Sequence, residues 1–140
     1  MNSDLAKAKK ILMDTGSTCV LCKGRSRVES DLRGVKPLLE LLDMGMDFSG
    51  YSAADKVVGK ATAFLYCLLE VRAVYTPVIS EAGLAVLQEH GIEAQYDKCV
   101  PAILNRRRDG FCPMESATKS ISHPEEALKA IQRTLETLRS

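Results

Sequence analysis

Two short stretches of this chain hold residues whose types and spacing could do chemistry. The first is Asp55-Lys56-Val57-Val58-Gly59-Lys60. Lys56 and Lys60 stand at i and i+4, so on a helix their ammonium groups share a face and repel unless an anion lies beside them. A helix start favours the same anion, through its unpaired N–H groups and the positive end of its dipole. The implied chemistry is capture of a small anionic ligand, the phosphate or carboxylate of a metabolite such as a nucleotide. The plainer alternative makes Asp55 a cap and sends both lysines to solvent or to acidic partners elsewhere.

The second stretch is Cys112-Pro113-Met114-Glu115. Proline suits the first helical position, which makes Cys112 the N-cap and Glu115 the third helical residue. A thiol at a helix N-terminus loses its proton more easily, and the nearby Arg106, Arg107 and Arg108 would add to that effect. Cys112 or Lys56 could then act as nucleophile, with Asp55 or Glu115 moving protons. Against this, His90 and His123 are the only histidines and both fall at helix ends, so no partner base is evident. The alternative is a half-buried cysteine in a structural turn, with Glu115 completing the cap. Cys19-x-x-Cys22 has the spacing of half a zinc knuckle, but a full site needs four ligands. Cys67, Cys99 and Cys112 are scattered, and in a strand Cys19 and Cys22 point to opposite faces. No metal and no cofactor is expected.

The elements that must position these residues centre on Ser52 to Glu70, SAADKVVGKATAFLYCLLE. Ser52 and Asp55 form the S-x-x-D version of a capping box, and the run that follows is apolar on nearly every side. One long helix starting at Ser52, buried in the middle of the domain, is predicted. Gly59 costs about 1 kcal/mol against alanine in a helix interior, so its presence predicts close approach by another element. Upstream, Ser3 to Met13 reads as a helix, Thr18 to Cys22 as a strand returning through Arg27 to Glu29, and Pro37 to Met44 as a short helix. Downstream come a strand over Ala73 to Val78, a helix from Ser80-Glu81 to His90-Gly91, and a strand over Ile92 to Tyr96. Val100 to Asn105 is a short apolar segment, strand or turn. Arg106 to Gly110 is a basic loop, and Pro124 to Arg139 is an amphipathic helix. Helices alternating with strands imply α/β layers. The hairpin makes the sheet mixed.

Composition narrows the function classes. A chain of 140 residues, 46% apolar and 26% charged, is expected to form a single domain over 1–140. A formal net charge of +1 gives no general attraction to nucleic acid or to an anionic membrane. The first residues, MNSDLAKAKKILMD, lack the apolar core of a signal peptide, and no run is long enough to span a bilayer. Five cysteines, an odd count at irregular spacing, fit reduced thiols in the cytoplasm.

Four blocks carry a resemblance: GVKPLLELL (Gly34 to Leu42), ADKVVGKATA (Ala54 to Ala63), PVISEAGLAVL (Pro77 to Leu87) and AILNRRRDGFCPME (Ala102 to Glu115). Together they resemble a bacterial family of small proteins of unassigned function with the cytidine-deaminase-like fold. The resemblance runs from about Thr18 onward. It implies a three-layer α/β/α fold with a mixed sheet, and it assigns no activity. Zinc deaminases need H-x-E at one helix start and P-C-x-x-C at the next. Here Asp55-Lys56-Val57 stands at the first. At the second, Val78 and Glu81 occupy both cysteine positions after Pro77. The zinc site of that chemistry is therefore expected to be lost.

The resemblance also implies a pocket at this end of the central helix. Ser80 and Glu81 would then sit beside it, Ser80 chiefly as an N-cap and Glu81 as a partner for Lys56 or Lys60. The expected ligand-binding set is Asp55, Lys56, Lys60, Ser80, Glu81, Asn105, Arg106, Cys112 and Glu115. Three functions follow from it: a metal-free small-molecule binding protein, a metal-independent enzyme using Cys112 or Lys56, or an interaction domain with a vestigial pocket. A homodimer is expected from the generous apolar content and the habit of the fold.

Overall fold

The protein is described by a computed structural model covering residues 2–104 and 112–139. Its helices and strands are α1 (Ser3–Asp14), β1 (Cys19–Lys23), β2 (Ser26–Ser30), α2 (Lys36–Asp43), β3 (Ser52–Asp55) and β4 (Val57–Val58), followed by α3 (Lys60–Leu69), β5 (Ala73–Ser80), α4 (Glu81–Glu89), β6 (Glu93–Val100), α5 (Pro113–Thr118) and α6 (Pro124–Arg139). The strands make one mixed sheet. β1 pairs antiparallel with both β2 and β3, whereas β3, β4 and β6 all pair with β5 in parallel. The expected α/β class is the one observed.

Alternation on the strands sorts the core into two layers. Cys19 and Leu21 of β1 and Ala53 of β3 face the larger core, with the side chains of α2, α3 and α4. Val20, Cys22, Ala54 and Tyr75 face a smaller one, closed by Leu5, Ala8, Ile11 and Leu12 of α1. The two thiols of Cys19-x-x-Cys22 thus lie on opposite faces of the sheet and cannot share one ion. The last helix, α6, adds Ala127 and Ile131 to the larger core.

The predicted long helix from Ser52 is corrected. Ser52 to Asp55 is a strand, fully buried between β1 and β5, and α3 begins only at Lys60. Small residues such as Ala53 and Ala54 carry little β preference of their own. Ladders on both edges override that propensity. β3 and β4 keep one register against β5, with Ala54 opposite Tyr75 and Val57 opposite Val78. At the gap between them Lys56 faces Pro77, which has no N–H to give a ladder. The faces invert across this break. Val74 and Ile79, an odd number of residues apart, both reach the larger core. The strand predicted over Ile92 to Tyr96 runs further, to Val100.

Gly59 is the N-cap of α3 with ordinary extended dihedrals, so contact rather than conformation demands glycine. A Cβ there would stand 2.0 Å from Oε1 of Glu115, and one on Gly83 of α4 would stand 3.0 Å from the Gly59 backbone. Two elements therefore close on Gly59, the approach that its presence predicted. Gly59→Ala should lower the unfolding free energy by about 1–3 kcal/mol through overpacking. Glu115→Ala removes the side chain it strikes. Urea unfolding of the two single variants and the double variant should show strong coupling, with Gly59→Ala nearly neutral once Glu115 is gone. Additive losses would mean that Gly59 is not reserved for this contact.

Candidate functional site

Parallel strands of an open sheet leave a crevice at their carboxyl ends, and ligands of α/β proteins bind there. Asp55 ends β3, Gly59 follows β4, and Ile103 and Leu104 follow β6. Around them lies a cavity of about 370 Å³, lined also by Val35, Lys56, Val57, Cys112 and Glu115. Most of its wall is carbon. The exceptions that matter are two carboxyl groups.

Asp55 is 8% exposed. It points to the same face of the sheet as Ala53, toward α3. The hydroxyl of Tyr66 on that helix donates to Asp55 Oδ2 at 2.7 Å. Behind it, Cys19 Sγ lies 3.3 Å from the same hydroxyl, and Cys19 is the cross-strand neighbour of Asp55. The Val57 amide is 3.4 Å from Asp55 Oδ1, longer than an ordinary hydrogen bond. Burial raises the Asp55 carboxyl from its usual range to about 7, against the pull of Tyr66 and the neighbouring backbone amides. Burial likewise pushes the Tyr66 hydroxyl and the Cys19 thiol up, with the Asp55 charge adding to both.

Glu115 occupies the start of α3. Its Oε1 accepts from the Lys60 amide at 2.5 Å, and the Ala61 amide adds a second backbone bond. Burial raises this carboxyl, while those amides and the Lys60 charge oppose the rise. It was expected to complete the cap of its own helix; it caps α3 instead, 55 residues away.

The lysine pair is also corrected. Lys56 is exposed in the gap between β3 and β4, outside any helix. Lys60 opens α3 and donates through Nζ to the Lys119 carbonyl at 2.9 Å. They do not share a helix face. Ser80 is the N-cap of α4 as expected, accepting from the Gly83 amide at 3.0 Å, but it does not line the cavity. Glu81 is exposed and does not line it either. Cys112 does. It is the N-cap of α5, with Pro113 at the first helical position and no side-chain cap bond, and its amide donates to the Ile103 carbonyl at 3.0 Å. Asn105 and Arg106 lie outside the described residues. Among the described residues, no three His, Cys, Asp or Glu side chains gather as metal ligands.

Tyr66 was missed in the sequence. Its signal was a tyrosine inside an otherwise apolar helix, because a buried tyrosine hydroxyl needs a partner. The walls supplied by Thr18, Ile103, Leu104 and Met114 carried no comparable signal.

Helices on both faces of a mixed sheet, with a cavity at the strand ends, define a three-layer α/β protein. Residues 7–135 match the family described as a domain of unknown function, DUF1893, and the chain belongs to that family. A crystal structure of a DUF1893 family protein from Thermotoga maritima is similar over 95% of this chain and 91% of its own, with 28% identity and a TM-score of 0.86. Two deaminases show a partial likeness. A dCMP deaminase from the cyanophage S-TIM5 aligns with 67% of this chain and 94% of its own, at 13% identity and a TM-score of 0.45. A diaminohydroxyphosphoribosylaminopyrimidine deaminase/reductase from Thermotoga maritima aligns with 68% of this chain and 35% of its own, at 11% identity and a TM-score of 0.45. No curated protein matches the chain significantly. At the observed helix starts, Gly59-Lys60-Ala61 and Ser80-Glu81-Ala82, no histidine or cysteine is present.

Asp55 should make stability fall as the pH rises from about 4 to about 7. The folded chain holds this proton up to about 7, whereas the unfolded chain releases it near 4. The folded state therefore binds more protons throughout that window, and the favourable term, complete below pH 4, is lost as the pH climbs through 7. The full swing is on the order of 4 kcal/mol. Asp55→Asn should flatten the profile and be more stable than the parent at pH 8. Urea unfolding at pH 4.5, 6 and 8 measures this. A parent profile as flat as that of the variant would contradict it.

Proposed function

We propose that this protein binds a small molecule in the cavity at the carboxyl ends of its parallel strands. One observation carries this reading: Asp55, a buried carboxyl with no cationic partner among the described residues, opens into a cavity walled mainly by carbon. Retaining such a group costs stability, and groups so perturbed concentrate at functional sites. The lysine pair that suggested an anionic ligand lends no support, since Lys56 lies outside α3 and Glu115 takes the helix start. No helix among the described residues is long and apolar enough to cross a membrane. Cysteines free of disulfides suit a cytoplasmic setting. Self-association is a further proposal. It is supported by β6, a long strand at the sheet edge that exposes Tyr96.

A second reading, a metal-independent enzyme, is favoured by one feature. A carboxyl that titrates at about 7 can give and take protons near neutrality, with Tyr66 as its positioning residue. In that reading Asp55, rather than Cys112 or Lys56, does the chemistry.

A thermal-shift screen of small metabolites tests the binding reading, with Val57→Trp as the control. Val57 is 43% exposed at the cavity wall, so an indole there should obstruct the mouth and leave the unliganded melt nearly unchanged. Compounds that stabilise the parent should fail to stabilise Val57→Trp. Absence of any stabilising compound, or equal stabilisation of both proteins, would overturn the reading.

A further inference from the structure

We propose that the ligand of this cavity is a small organic cation, a single apolar ring carrying one charged nitrogen group such as an amidine, seated with that group on Asp55. The inference rests on the cavity being a binding site, and it adds the ligand's charge and shape.

The cavity selects a body first. Val35, Ala61, Ile103, Leu104 and Met114 give it carbon walls, and its volume of about 370 Å³ is near the small end of ligand pockets. A one-ring molecule fits that space. Polar recognition then falls to the two carboxyl groups, which are not equivalent. Glu115 is already engaged by the Lys60 and Ala61 amides, where it caps the start of α3. Glu115 also has the Lys60 charge beside it, whereas Asp55 has none: its donors are the Tyr66 hydroxyl at 2.7 Å and the neighbouring Val57 and Lys56 amides, all of them neutral.

Charge decides among ligands of that size. An anion would meet Asp55 and Glu115 together and would find the helix start taken. A neutral ring would cover Asp55 and leave it with neutral donors only, without the charge it lacks. A cation gives the buried carboxylate the partner it lacks, with a charge-assisted hydrogen bond of the strong class. The groups that face Asp55 agree with this. Cys19 comes from β1 and Tyr66 from α3. Burial keeps both protonated at neutral pH. Across the cavity stand Glu115 and Cys112 from the α5 side. The α2 side contributes Gly34, Val35 and Pro37, none of them charged. Lys56, next in the chain, is the one cation among the described lining residues, and it is exposed.

Binding must then follow the ionisation of Asp55. A cation needs the carboxylate, and in the free protein that form dominates only above about pH 7. Isothermal titration with benzamidine, benzamide and benzoate, three rings of one size and different charge, tests this at pH 8 and pH 5.5. Benzamidine should bind at least tenfold more tightly than the other two at pH 8. Its affinity should fall about thirtyfold by pH 5.5, the ratio of ionised fractions for a group titrating near 7. Asp55→Asn, with its melt checked, should lose at least tenfold at pH 8 and lose the pH dependence. The pH comparison in the parent stands by itself if that variant does not fold. Preference for benzamide or benzoate overturns the charge assignment while leaving the cavity a binding site. No binding by any of the three also overturns it, and the Val57→Trp screen then decides separately whether the cavity binds anything.

Discussion

The carboxylate of Glu115 on the first amides of α3 is the contact around which the functional end of the molecule is arranged. It satisfies donors that a helix start would otherwise leave orphaned. It requires glycine at position 59, because any Cβ there collides with the carboxylate. Gly59 in turn lets α4 approach, since Gly83 sits against its backbone. Through α5 the same contact brings Cys112 and Met114 to the cavity wall. A helix terminus that would suit an external anion is thus closed by an internal one.

With that terminus closed, the unbalanced charge of the cavity sits on β3. Asp55 lies where the strand breaks, and the break follows from Pro77 on the neighbouring strand. Asp55 closes the regular part of β3, paired with Cys19 and turned toward the helix layer. Here it faces Tyr66 on one side and open space on the other. The burial that raises its protonation also makes the folded state weaker as the pH rises. Structure and cavity therefore draw on one group with opposed interests. The fold favours the neutral acid, and a cationic guest favours the carboxylate.

Most of the architecture was legible because hydrophobic period and turn residues agreed. The first hairpin, α2, α4 and α6 lie close to where their patterns put them. The failure at Ser52 to Gly59 has a physical cause. A strand buried on both faces reads as a continuous run of small and apolar residues, and period alone does not separate it from a buried helix. Ser52-Ala53-Ala54-Asp55 has the composition of a helix start, and its strand state comes from partners 30 or more residues upstream and about 20 downstream. The site was half legible. Asp55, Glu115 and Cys112 were found as chemistry-bearing residues, but for local reasons. Their meeting depends on long-range packing that no local pattern encodes. Ser80 and Glu81 were assigned to the cavity through the resemblance, which put the pocket at this end of the central helix; the α4 start does pack on Gly59, but through Gly83.

The separation of Glu115 from the helix it caps has a consequence for how the chain acquires its structure. During synthesis, β3 and α3 are made before residue 115 is added. Water serves the first amides of α3 until α5 docks, and the part of the cavity wall made by Cys112, Met114 and Glu115 is added only then. Long-range contacts of this kind close late because the entropy of bringing distant segments together must be met first. The cavity is accordingly closed by a segment that comes after every strand of the sheet in the chain, and its wall depends on the docking of that segment.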